Sequence, residues 1–116
     1  MIEKQEILLI GLNHKTAPVE IRECIGFAGD ESDQALHDLH ALEAVQEVLL
    51  VSTCNRVEVL LTTSDKDRAA QQVVAFLSEM NNIPVTEFQN NLYQHVGDDA
   101  VRHIFRVAAS LDSMVV

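Results

Sequence analysis

Cys54 is the residue in this sequence best suited to act as a nucleophile. It stands in Ser52-Thr53-Cys54-Asn55-Arg56, where a run of aliphatic and β-branched residues gives way to a polar break. A thiol at such a boundary can sit at the rim of a core. Arg56 is two residues on, and in an extended chain it falls on the same side. A nearby guanidinium favours the thiolate, which is the nucleophilic form. Thr53 and Asn55 add donors for an oxyanion or for a polar group of a substrate. The same pattern also fits a small buried hydrophobe at a strand end, so the residues alone leave both roles open.

Two other places could contribute chemistry. Gly11-Leu12-Asn13-His14-Lys15-Thr16-Ala17-Pro18 puts a polar cluster after an apolar run, which suits either a site-lining loop or a plain polar turn. Gly11 permits close backbone approach. His103 falls beside the apolar stripe of the last predicted helix, as a general acid or base or as a boundary residue. Asp98 and Arg102 are four apart and read as a surface pair. Cys24 reads as structural. His37 and His40 share a helix face at i, i+3 but lack further ligands, and His95 stands alone, so no metal site is expected. The two cysteines form neither a disulfide framework nor a zinc pattern.

The elements that must position these residues follow from periodicity. Glu6 to Leu12 reads as a strand. A short helix follows from Val19 to about Phe27, ended by Gly29. Asp30 or Ser32 can cap a second helix carrying Ala35, Leu36, Leu39 and Leu42 at helical spacing. Val48 to Thr53 and Val57 to Thr63 read as adjacent antiparallel strands joined by Cys54-Asn55-Arg56. A helix over Lys66 to Asn81, capped by Ser64 or Asp65, turns Val73, Phe76, Leu77 and Met80 to one side. Leu92 to Val96 is a fourth strand. Asp98 caps a final helix with the stripe Val101, Ile104, Phe105, Ala108 and Leu111. The series matches a ferredoxin-like split βαβ sandwich, an α+β fold with a four-stranded antiparallel sheet and helices on one face.

The chain has 116 residues, enough for one domain over 1–116. Its net charge of −10 predicts weak attraction for a polyanion unless a local patch intervenes. No apolar run approaches a membrane span and no secretory signal is evident, so a cytosolic protein is expected. Met114-Val115-Val116 closes the sequence without a polar tail, Gly or Pro, an ending that suggests a piece of a longer chain. No Gly-rich dinucleotide fingerprint occurs.

Taken together, three stretches resemble one family. Gly11 to Glu23 resembles the opening signature of glutamyl-tRNA reductases. Ser52-Thr53-Cys54-Asn55-Arg56-Val57-Glu58 resembles their catalytic-cysteine motif, with Val57 where Thr is also common. Ala100 to Val116 resembles the end of the same N-terminal catalytic domain, with Ser110 at a position that is usually Gly. The resemblance implies reduction of glutamyl-tRNA to glutamate-1-semialdehyde with NADPH, the first committed step of tetrapyrrole synthesis by the five-carbon route. It implies Cys54 as nucleophile forming a thioester and His103 as a residue important for activity. Thr53, Asn55, Arg56 and Ser113 would contact the substrate, with Arg56 on a carboxylate. It also implies that the NADPH-binding and dimerisation domains of a homodimeric enzyme are separate from these residues. A regulatory or protein-binding module is the alternative, and a redox sensor at Cys54 is disfavoured because no resolving Cys lies near it in sequence.

Overall fold

The computed structural model describes residues 5–18, 20–21, 29–53 and 55–114. Four strands, β1 (Glu6–Asn13), β2 (Glu47–Ser52), β3 (Arg56–Thr63) and β4 (Tyr93–Val96), form one sheet in the order β2-β3-β1-β4. Every neighbouring pair is antiparallel. This is the split βαβ order expected from the sequence. The helices are α1 (Gly29–His40), α2 (Lys66–Asn81), the single turn α3 (Val85–Phe88) and α4 (Asp98–Met114). No helix among the described residues is long and apolar enough to cross a membrane.

Alternation along the strands sorts the side chains onto two faces. Leu8, Ile10 and Leu12 of β1 join Val57, Val59 and Leu61 of β3 in one buried cluster. Ala35 and Leu39 of α1, Ala69, Val73 and Leu77 of α2, and Phe88 of α3 close over it. The Asp65 carboxylate caps α2 by accepting from the Arg68 backbone N–H, and Asn82 in the left-handed region ends it. Leu36 and Met80, expected in the core, lean outward instead. The turn α3 was not anticipated from the sequence; Phe88 anchors it with no exposure.

The expectation of helices on one face holds for α1 and α2. The last helix, which lies outside the βαββαβ series, covers the opposite face. Its His103 reaches Glu58, and Glu58 pairs in register with Gly11, one residue out of phase with the Ile10 and Leu12 core. Ala100 and Val107 are the buried residues of α4, whereas Phe105 is 70% exposed. The apolar stripe expected through Phe105 and Ala108 is thus displaced around the helix. The sheet face beneath carries Gly11, Glu58 and Tyr93 in one row, and that row receives His103. Gly97, at φ 63, precedes the helix and accepts from the Val101 N–H at 3.2 Å, so Asp98 is the first helical residue and not its cap. Arg102 pairs at 4.0 Å with Asp99 and not with Asp98. The expected helix over Val19 to Phe27 lies outside the described residues except for Glu20 and Ile21, which are helical. Gly29 starts α1, where the sequence suggested an end.

Gly11 shapes the second face. A Cβ there would lie 2.7 Å from Glu58 Cγ, 2.8 Å from the Val57 carbonyl oxygen and 3.2 Å from the Tyr93 hydroxyl. The carbonyl belongs to the paired strand and cannot move away without breaking the ladder. Gly11→Ala should therefore cost about 1–3 kcal/mol as an overpacked site, against the usual small gain of Ala over Gly in a strand. Urea unfolding checks this, with a lower midpoint at constant slope expected. An unchanged or higher midpoint would show that the row has slack.

Candidate active site

The site grows from one carboxylate. Glu58 lies within β3, between Val57 and Val59, and its side chain has no exposure. A buried charge must be paired, and three groups converge on this one. Arg56, two residues earlier on the same face, donates from Nη1 to Glu58 Oε1 at 2.9 Å. His103 places Nε2 2.6 Å from Oε2 and 3.0 Å from Oε1. The Tyr93 hydroxyl, from the far neighbour of Gly11, lies close enough to feel the charge of the same carboxylate. Asn13 Nδ2 donates to that hydroxyl at 3.4 Å. Burial, followed by the charge of Glu58, holds the Tyr93 phenol well above its ordinary value of 10.0.

The geometry settles the orientation of His103. A carboxylate only accepts, so the ring nitrogen that faces it carries the proton. That nitrogen is Nε2. Nδ1 is left for chemistry, as an acceptor when the ring is neutral. The His95 ring stacks on His103 with centroids 4.6 Å apart, and the Tyr93 ring tilts against it at 5.3 Å. The imidazole is therefore clamped by rings as well as by the carboxylate.

A cleft of about 380 Å³ opens beside this cluster, lined by Asn13, His14, Lys15, Arg56, His103, Arg106 and Val107. Its first wall is a built turn. Asn13 Oδ1 accepts from the backbone N–H of Lys15 at 2.9 Å and of Thr16 at 3.2 Å, and Asn91 Nδ2 donates to the Thr16 carbonyl at 3.0 Å. The other walls are the start of β3 and one side of α4. A separate groove of about 430 Å³ runs along α2 and is lined by Ala70, Gln71, Val74, Ala75, Val85, Gln89, Leu92 and Gln94. It is larger but has no ionisable group among its lining residues, so the smaller cleft is the candidate site.

Of the residues singled out in the sequence, Arg56, His103 and His14 meet in this cleft. Thr53 and Asn55 occupy the link between β2 and β3. There the Thr53 N–H donates to the Arg56 carbonyl at 2.8 Å, and the Asn55 N–H donates to Thr53 Oγ1 at 3.2 Å. Neither is among the described residues that line the cleft. Cys54 and Cys24 lie outside the described residues. Ser113 falls in the last turn of α4, where the backbone alone is described. Among the described residues, no group of three His, Cys, Asp or Glu side chains could hold a metal ion. Sequence reading missed Glu58 as the organising group, and with it Tyr93. The available signal was a lone acid inside an apolar strand.

With this geometry in hand, similarity to known proteins is decisive. The sequence model of the family described as "Glutamyl-tRNAGlu reductase, N-terminal domain" matches residues 10–116. The chain belongs to this family. It is 47% identical over 110 residues to the glutamyl-tRNA reductase of Desulfatibacillum aliphaticivorans, covering 95% of this chain and 25% of that protein. It is 50% identical over 111 residues to that of Solibacter usitatus, covering 96% and 26%. In fold it is similar to a solved structure, the glutamyl-tRNA reductase from Methanopyrus kandleri. The TM-score is 0.66 at 31% identity, covering 97% of this chain and 24% of that one. The chain thus spans about a quarter of the length of the reductases it matches.

The site carries its own spectroscopic reporter. Tyr93 is the single tyrosine, and the chain has no tryptophan. Near-ultraviolet phenolate absorbance should be missing from the folded protein at about pH 11, where an ordinary tyrosine is mostly ionised. Since the folded value is raised, the folded state holds a proton that the unfolded chain releases. Stability should therefore fall as pH rises above 10.0. Ionisation near pH 10 in the folded state would contradict the burial of this hydroxyl against Glu58.

Proposed function

We propose that this chain carries the thiol half-reaction of a glutamyl-tRNA reductase. The observation that supports it most is the convergence of Arg56 and His103 on buried Glu58 beside one cleft, next to the link that bears the Cys54 motif. In this reading the Cys54 thiol gives its proton to His103 Nδ1. The thiolate attacks the carbonyl carbon of the aminoacyl ester of glutamyl-tRNA. The C–O bond to the terminal ribose breaks, His103 returns the proton to the departing ribose oxygen, and a thioester remains on Cys54. The ester is already activated, so no ATP is needed.

Each residue's role follows from its chemistry. Arg56 has five N–H donors, and one goes to Glu58; the others suit the glutamyl side-chain carboxylate. Thr53 and Asn55 supply donors for the oxyanion or the substrate's polar groups, and Ser113 is assigned a substrate contact by resemblance. Glu58 and Tyr93 are positioning residues, because they act on the substrate through His103 and Arg56. A thioester accepts hydride more readily than an ester, and the family's reductant is NADPH, giving glutamate-1-semialdehyde for tetrapyrrole synthesis. The described residues offer no Gly-rich cradle between a strand and a helix for a dinucleotide. The chemistry proposed for these residues therefore ends at the thioester, and hydride delivery is left to NADPH.

The test is acyl transfer from radiolabelled glutamyl-tRNA without NADPH. Labelled, hydroxylamine-sensitive protein should form, followed by slow release of glutamate. Cys54→Ser should abolish the label, since a serine hydroxyl lacks an accessible anion near neutral pH. His103→Asn should slow labelling by roughly 10²–10⁴-fold, the usual worth of a proton-transfer group. Full labelling of Cys54→Ser would end the proposal.

A further inference from the structure

The distribution of charge points to a second binding element in the same cleft. The protein carries 18 acidic residues against eight Lys and Arg, so a cation on its surface has many possible partners. Six of those cations are described. Arg56 pairs with Glu58 at 2.9 Å, Lys66 approaches Glu6 at 4.0 Å, Arg68 holds Glu43 at 2.6 Å and Arg102 lies 4.0 Å from Asp99. Lys15 and Arg106 have no carboxylate partner among the described residues. Both line the 380 Å³ cleft, one from the turn after β1 and one from α4, and both are exposed. No acidic residue is among the described residues lining that cleft, and Glu58 behind it is already committed to Arg56 and His103.

An acidic protein that gives two cations at one cleft no carboxylate partner among its described residues presents a local site for an anion. The Lys15 backbone is held by Asn13 Oδ1, so the position of one cation is built into the turn. Resting on the function proposed above, we infer that Lys15 and Arg106 form a phosphodiester-binding rim. It takes the backbone phosphates next to the acylated end of the RNA, while Arg56 deeper in the cleft takes the glutamyl carboxylate. Arg106 offers a planar fork for phosphate oxygens and Lys15 a point charge. Contacts of this kind carry no sequence information; they set register and hold the ester at the nucleophile.

The test is equilibrium binding of uncharged tRNA, which has the phosphates but no glutamyl group, by the full-length protein across a salt series. Lys15→Ala and Arg106→Ala should each weaken binding roughly 2–5-fold at low salt. Each should also flatten the slope of log affinity against log salt by roughly 0.7–0.9. Lys66→Ala, at the far end of β1, should leave both unchanged. Salt slopes equal to wild type in both cleft variants would overturn the rim, as would losses seen with glutamyl-tRNA but not with uncharged tRNA. A wild-type protein that shows no binding of tRNA would overturn both the rim and the proposed function. Acyl transfer separates the two: a protein that binds RNA with the expected slopes but never labels Cys54 upholds the rim and refutes the thioester reading.

Discussion

A carboxylate with no access to water holds this site together. Glu58 sits within a strand whose other face is core, and burying an unpaired charge there would cost several kcal/mol. The protein meets that cost with Arg56 and His103, drawn from β3 and α4, while the Tyr93 ring from β4 packs against His103. Removing one partner typically costs about 3–5 kcal/mol because the remaining charge is stranded, so the partners are held together and orient the site. The chemistry proposed for His103 depends on this, because the side of the ring that meets Glu58 decides which nitrogen faces the cleft.

The fold serves that carboxylate. Register places Gly11 opposite both Glu58 and Tyr93, and the missing Cβ provides the room the Glu58 side chain occupies. The helices α1 and α2 fill the other face with an ordinary aliphatic core, which leaves α4 free to cover the polar row. With Ala100 and Val107 as its buried positions, α4 can bring His103 down to 2.6 Å from Glu58. The turn after β1, tied by Asn13 and Asn91, completes the cleft with His14 and Lys15.

Much of the architecture was legible in the sequence because it is local. The bounds of α2 coincide with the apolar spacing and caps read from Lys66 to Asn81. The strands β1 and β3 follow their β-branched and aliphatic runs. Arg56, His14 and His103 were singled out by type, and they do share a cleft. Glu58 stands in the sequence only as the end of a motif, because its importance lies in neighbours that are distant in sequence. Gly11, Glu58 and Tyr93 become a row only after strand register is set, and register is not written in any one segment. The same reason explains α4: its periodicity supports more than one apolar stripe, and the polar row on the sheet selects the stripe containing His103 over the one containing Phe105.

The claim that Glu58 fixes the ring of His103 is tested most directly by nitrogen NMR of the histidine side chains, with His103 assigned by substitution among the five histidines. When its ring is neutral, His103 should carry the proton on Nε2 and leave Nδ1 bare, and Glu58→Gln should loosen that preference. A proton resident on Nδ1, with Nε2 bare, would contradict the account, since the carboxylate would then face a lone pair and the cleft would face a donor.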